Sequence, residues 1–377
     1  RNPKKVYIMD MGLYTENSIS ISDNMGRRLE NLIFLHLRRK YKHIFYYKDK
    51  GECDFITMEK NTVNTSLIDS TAIKIIKNHY NFCYLHAMLE KIQHISVENL
   101  IVGSSYGLYG IIESLFQNGA LNLSMHNQDI YYDFLAVKQA VKNAYTKPKR
   151  CFILLGYYAL GQDLSSQSRL GHTLIKQIYY PLYRDSHNLD LSEYFDIWKW
   201  ADVYQTFDCP DNAILELKET IDYFIWQQGS YFNSHCERGT SMSEKLNGIL
   251  WDKCQPSLRT QLAQERADSH NKLIHYETSI CENKQLLDKL MLYLSSQEIQ
   301  PIIVIPPFSD EYNHFILPAY HEQILNVLEK MPYDIHYIDF NHYKIWSSLD
   351  FFDADHLSQQ GAIRLSALLN DTFILNQ

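Results

Sequence analysis

At 377 residues the chain is long enough for two or three domains of about 150 residues each. With 45% hydrophobic and 21% charged residues it can build a packed core, which excludes collagenous, disordered and coiled-coil proteins. Thirty-six basic against 44 acidic side chains leave a net charge of −8, and no basic stretch is fit to track phosphates, so nucleic acid is not expected as the main partner. The apolar runs, such as 151-CFILLGYYAL-160, stop near about ten residues. A membrane span needs about 20, so none is expected. The seven cysteines are scattered, odd in number and without a CxxC pair. That pattern fits reduced thiols and a cytoplasmic protein better than a disulfide framework. The opening 1-RNPKK-5 lacks the apolar run of a signal peptide, and a start at Arg1 rather than Met points to an incomplete N-terminus.

In chain order, residues 1 to 60 read as a small α/β segment. A strand at 5-KVYIMDMGL-13 precedes a helix over 23–39, with Leu29, Leu32, Ile33 and Leu37 at helical spacing. Two β-rich runs follow, 43-HIFYYKD-49 and 52-ECDFITM-58, joined by Lys50-Gly51 as a hairpin. A boundary is expected near residue 60, with helix thereafter, notably over 71–92.

From residue 99 a regular alternation begins. Short apolar runs stand at 99-NLIVG-103, 120-ALNLS-124, 151-CFILLG-156, 301-PIIVIP-306 and 335-IHYIDF-340, with helix-patterned stretches between them. Near-continuous apolar strands with helical crossovers predict a doubly wound, five-stranded parallel sheet covered on both faces. Its ligands would lie beyond the carboxyl ends of the strands. A helical insertion over about 165–298 is expected to supply helices at 191–204, 212–227 and 258–296.

Two motifs carry chemistry. The first is 103-GSSYGLYG-110, where a serine at a strand's carboxyl end meets the free N–H groups of a helix start. Gly103 and Gly107 allow the tight turn and a close substrate approach. The plain alternative is a turn capped by Ser104 or Ser105. The second motif, 351-FFDADHLSQQGAIRLSALL-369, sets Asp353 and His356 three apart after the fifth strand. A serine nucleophile needs a base, and the base needs an orienting carboxylate. Taken as one turn, the spacing brings Asp353 onto the face of His356 and sends Asp355 outward to cap the final helix. Ser105 Oγ and His356 should then lie about 2.6–4 Å apart.

The loop 306-PPFSDEY-312 leaves the fourth strand at the same rim, where Ser309, Asp310 or Tyr312 are candidate substrate contacts, against the bland reading of a rigid exit loop. Of 28 tyrosines, those in 178-IYYPLYRD-185 and 130-IYYDF-134 read more readily as core aromatics than as sugar-stacking surfaces. Sixteen histidines form no HExxH and no ligand-spaced cluster with cysteine, so no metal and no cofactor is expected.

With these residues in place, 62–377 resembles the SGNH (GDSL-like) hydrolase and acyltransferase superfamily, which has a flavodoxin-like sheet. Gly103-Ser104-Ser105 stands where the family has Gly-Asp-Ser, and Asp353-Ala354-Asp355-His356 where it has Asp-x-x-His. The resemblance implies Ser105 as nucleophile, His356 as base and Asp353 as its orienter. In the middle blocks, Asn127 takes the place of the oxyanion-hole glycine. Gly156 is kept, and Tyr158 replaces the asparagine that donates to the oxyanion. The implied function is a serine esterase or O-acyltransferase working through an acyl-enzyme on a small-molecule or carbohydrate ester. The rival is a catalytically weakened protein of the same fold, acting in binding or assembly.

Residues 1 to 60 resemble a truncated piece of the DUF4143 carboxyl-terminal domain of prokaryotic AAA-type ATPases, itself related to PD-(D/E)XK nucleases. That resemblance implies Glu30 with Glu52 or Asp54 as metal-holding positions. The lysine-bearing strand is missing from the match and the chain contains no P-loop, so a structural appendage is the preferred reading, with an ATPase-associated module as the third alternative.

Overall fold

The computed structural model describes residues 33–34, 36–37, 44–48, 52–57, 80–166, 169–191 and 250–375. They fall into two units. In the first, β1 (Ile44–Lys48) and β2 (Glu52–Thr57) pair antiparallel, with an irregular register between Phe45 and Tyr47, while the expected Lys50-Gly51 turn lies outside the described residues. The expected strand at 5–13 and Glu30 lie outside the described residues. Glu52 and Asp54 both fall within β2.

The second unit is α/β. Five strands form one all-parallel sheet: β3 (Asn99–Gly103), β4 (Ala120–Asn122), β5 (Arg150–Leu154), β6 (Gln300–Ile305) and β7 (His336–Asp339). Their order is β4-β3-β5-β6-β7, which is 2-1-3-4-5 counted along the unit. The runs NLIVG and RCFIL are buried at every position, as strands covered on both faces must be. On the edge, β7 is only half-buried over most of its length. Strand order reverses beside β3, and such a switch point leaves a crevice at the carboxyl ends.

Helices α1 (Tyr80–Lys91), α2 (Ser105–Gly110) and α3 (Ile130–Asn143) precede or join the first strands. Asp129 caps α3 by accepting from the Tyr132 N–H at 3.1 Å. After β5, α4 (Arg169–Leu174) runs through a π-helical turn to Tyr183. Tyr179 in that turn is fully buried and stacks on Tyr132 at 3.9 Å, so this ring belongs to the core, while Tyr180 and Tyr183 are half-buried.

The stretch expected as one helix over 258–296 is two: α5 (Pro256–Asn271) and α6 (Glu277–Ser296), with a 3-10 turn at Lys272–His275 between them. Tertiary bonds hold that break. The Tyr320 hydroxyl donates to the His270 carbonyl at 2.6 Å. The Asn271 amide donates to the Phe315 carbonyl and accepts from the Leu317 N–H. The other expected insertion helices, 191–204 and 212–227, lie outside the described residues apart from position 191.

Helices α7 (Asp310–Phe315) and α8 (Ala319–Leu328) join β6 to β7, and α9 (Gln359–Asn370) closes the unit against α2. No described helix is long and apolar enough to cross a membrane, and Cys83, Cys151, Cys254 and Cys281 are free.

Candidate active site

Ser105 opens α2 directly after β3, and the chain turns sharply to put it there. Gly103 has φ +137°, and a Cβ built on it would lie 2.3 Å from the Leu154 carbonyl oxygen of the neighbouring strand. Only glycine takes that conformation and approach without strain. Ser104 occupies the N-cap position but makes no capping bond, so the plain reading of a serine-capped turn does not describe this corner.

His356 comes from the loop after β7. That loop is a bend closed by a bridge between Phe351 and Leu357 and by the Asp353 carboxylate. Asp353 Oδ1 accepts from the N–H groups of Asp355 at 3.0 Å and His356 at 2.8 Å. This is an aspartate turn rather than a helical one, and it delivers the three-residue spacing. His356 Nδ1 stands 2.9 Å from Asp353 Oδ2, and its Nε2 stands 2.7 Å from Ser105 Oγ. The structure thus brings Ser105, His356 and Asp353 together at hydrogen-bond distance.

The imidazole is buried among rings, stacked on Phe352 at 5.4 Å and flanked by Tyr106 at 5.3 Å and Tyr109 at 5.7 Å. Burial works against its protonated form. The charges of Asp353 and Asp355 outweigh burial and raise its pKa above the ordinary histidine value. Asp353 moves the other way: burial would lift it, but His356, Arg266 and the Asp355 N–H pull it below the usual carboxylate value.

Asp355 departs from expectation. It does not cap α9, a role Ser358 fills by accepting from the Gly361 N–H at 3.3 Å. Its carboxylate is 1% exposed. Oδ2 accepts from the Tyr106 hydroxyl at 2.8 Å, and Arg266 Nε lies 3.0 and 3.1 Å from the two oxygens. A buried carboxylate takes such partners because charge left unpaired away from water is costly. Arg266 sits on α5, where sequence periodicity marks a helix but gives no sign that one arginine turns inward. Coulombic attraction from Asp355 outweighs desolvation and raises its pKa further.

Ser105, Asn127, Arg266, Asp353 and His356 line a cavity of about 400 Å³, with Trp251, Leu262 and Phe352 among its apolar walls. Asn127 has φ +52°, a left-handed conformation that glycine adopts freely and asparagine tolerates. The other expected site residues are placed elsewhere. Tyr158 is buried, stacked on His270 at 3.7 Å, with its hydroxyl 3.0 Å from that of Tyr106. It borders a neighbouring cavity of about 370 Å³, which Asn127 and Arg266 also line. Gly156 serves packing, since a Cβ there would meet the Tyr106 ring at 2.6 Å.

Ser309 and Tyr312, the candidate substrate contacts of the exit loop, are both buried, and neither lines either cavity. Ser309 Oγ caps α7 and donates to the Ala354 carbonyl at 2.7 Å, which steadies the His356 loop. The Tyr312 hydroxyl bonds His270 Nδ1 at 2.6 Å. Both hydroxyls are thus engaged inside the core.

No family model matches the chain, and no curated protein does. Among solved structures it is similar to "a putative platelet activating factor from Streptococcus pneumonia", at 10% identity and a TM-score of 0.36, over 80% of this chain and 98% of that one.

Proposed function

We propose that the chain is a serine esterase or O-acyltransferase of the SGNH type. The observation that carries this is the relay Ser105–His356–Asp353, with spacings of 2.7 and 2.9 Å beside an open cavity. The 2-1-3-4-5 strand order supports the flavodoxin-like form of that fold. The cavity falls within the range of about 300–1,000 Å³ usual for small-molecule sites.

In this reading Ser105 Oγ attacks an ester carbonyl while His356 Nε2 takes its proton. The N–H groups of Ser105 and Asn127 receive the oxyanion, Ser105's being free because the first amides of a helix have no partner within it. His356 then returns the proton to the leaving alkoxide. Water or an acceptor hydroxyl resolves the acyl-enzyme. A carbohydrate as the bearer of the ester rests on the family resemblance alone.

A fluorophosphonate probe followed by peptide mapping tests the assignment. Labelling is expected at Ser105 and absent from Ser105→Ala, whereas labelling of another serine would sink it. One observation favours the second reading, a weakened enzyme that binds rather than turns over. The Tyr158 hydroxyl is tied to Tyr106, so the side-chain oxyanion donor of the family has no counterpart there. Loss of one such donor costs about 10²–10³ in rate. Labelling at Ser105 without hydrolysis of activated esters would decide for that reading.

The base must be neutral to act, so the raised pKa of His356 sets the pH profile. The labelling rate should fall as pH drops through a value above the ordinary 6.5 or so of histidine. Asp353→Asn removes the largest charge raising it and should move this acid limb to lower pH. A limb that stays in place would separate Asp353 from the titration of His356.

A further inference from the structure

The exit of the last strand carries another group of ligating side chains, none of which lines the cavity around Ser105. Asp339 ends β7, His342 ends the 3-10 turn three residues later, and His321 comes from α8. The Nε2 atoms of His321 and His342 each lie 3.4 Å from the same Asp339 Oδ2. All three ligand atoms lie within 4.8 Å of one another.

That spacing is long for an N–H···O hydrogen bond, which centres near about 2.9–3.0 Å. It suits a metal. Bonds of about 2.0–2.1 Å from a tetrahedral ion set neighbouring ligand atoms about 3.3–3.4 Å apart.

The surroundings orient the carboxylate as metal ligands are oriented. The Tyr157 hydroxyl donates to Oδ2 at 2.7 Å and the Asn341 N–H to Oδ1 at 2.9 Å. Outer hydrogen bonds of this kind fix a ligand's direction and are worth about 10–100-fold in metal affinity. The Tyr337 hydroxyl reaches Oδ2 at only 3.3 Å, a weak contact that an incoming ion would displace. Access is open: the His342 side chain is 63% exposed and that of His321 is 31% exposed, while Asp339 is 6% exposed behind them.

Two imidazoles and one carboxylate select zinc-class ions over magnesium or calcium, which prefer all-oxygen sites. The cluster has no signature in the sequence, because His321 joins Asp339 and His342 only in space. The plain alternative is a pair of solvated histidines beside an aspartate.

We propose that His321, Asp339 and His342 bind one zinc-class divalent ion, with water completing its coordination. This is independent of the hydrolase reading.

The test uses the full chain, stripped with a chelator and titrated calorimetrically with Zn²⁺, with Co²⁺ absorption reporting tetrahedral coordination. One ion per chain is expected, with no Mg²⁺ binding. His321→Gln and His342→Gln should each weaken Zn²⁺ by about 100-fold or more, and Tyr157→Phe by about 10–100-fold. His342 is a surface residue, so its variant should fold normally. Asp353, Asp355 and His356 also lie within ligand range of one another. Binding that survives in both histidine variants but disappears in Asp353→Asn would therefore overturn the proposal, as would no Zn²⁺ binding at all.

Discussion

Under the proposed mechanism, Asp353→Asn is expected to lower turnover by about 10²–10⁴-fold while the fold stays intact. The asparagine can keep what holds the loop, because its oxygen still accepts from the N–H groups of Asp355 and His356, as Asp353 Oδ1 does at 3.0 and 2.8 Å. What changes is the other atom. An amide NH₂ replaces Oδ2 at 2.9 Å from His356 Nδ1, so Nδ1 must become the acceptor. The ring proton moves to Nε2, which faces Ser105 Oγ, and the base has lost its lone pair where the nucleophile needs it. Hydrolysis of an activated ester and urea unfolding should be measured on the same preparation. A variant that loses activity only in step with its stability would show that Asp353 holds the loop rather than the imidazole.

The largest expected loss of stability comes from Arg266→Met. Asp355 is 1% exposed, and the Arg266 guanidinium is the cation paired with both its oxygens. Removing one partner of a buried ion pair costs about 3–5 kcal/mol, because the remaining charge keeps its desolvation penalty without compensation. The Arg266 side chain is 38% exposed toward solvent, which places the effect at the lower end of that range. Urea denaturation should read it as a shifted midpoint with an unchanged slope. Replacing both partners with apolar residues of similar size, Arg266→Met with Asp355→Leu, should restore much of the loss, since neither charge then remains. A loss below about 1 kcal/mol in the single variant would mean that the pair contributes as a surface pair does.

These two expectations divide a pair of aspartates that the sequence sets almost side by side. The i, i+3 spacing from Asp353 to His356 was enough to place the Asp353 carboxylate against the imidazole, because a tight turn of either kind returns residues three apart to one another. It could not select the fate of Asp355. That depended on Tyr106 arriving from α2 and Arg266 from α5, 249 and 89 residues away along the chain.

The same division runs through the molecule. The strands NLIVG, RCFIL and PIIVI were legible because burial on both faces demands continuous apolar runs, a local property. Their parallel pairing followed from the helix-patterned stretches between them. The corner at Gly103 was legible because its conformation belongs to the residue itself. Contacts between elements decided the rest. The break between α5 and α6 is held by side chains of Asn271 and Tyr320, and periodicity carries no trace of such bonds. Ser309 and Tyr312 went to the core because the Ala354 carbonyl and His270 claimed their hydroxyls. The sequence by itself determined the sheet, its serine corner and its Asp-x-x-His turn. Only the tertiary structure decided which polar side chains face the cavity and which are consumed in holding it, because a buried polar group takes whatever partner the packing brings.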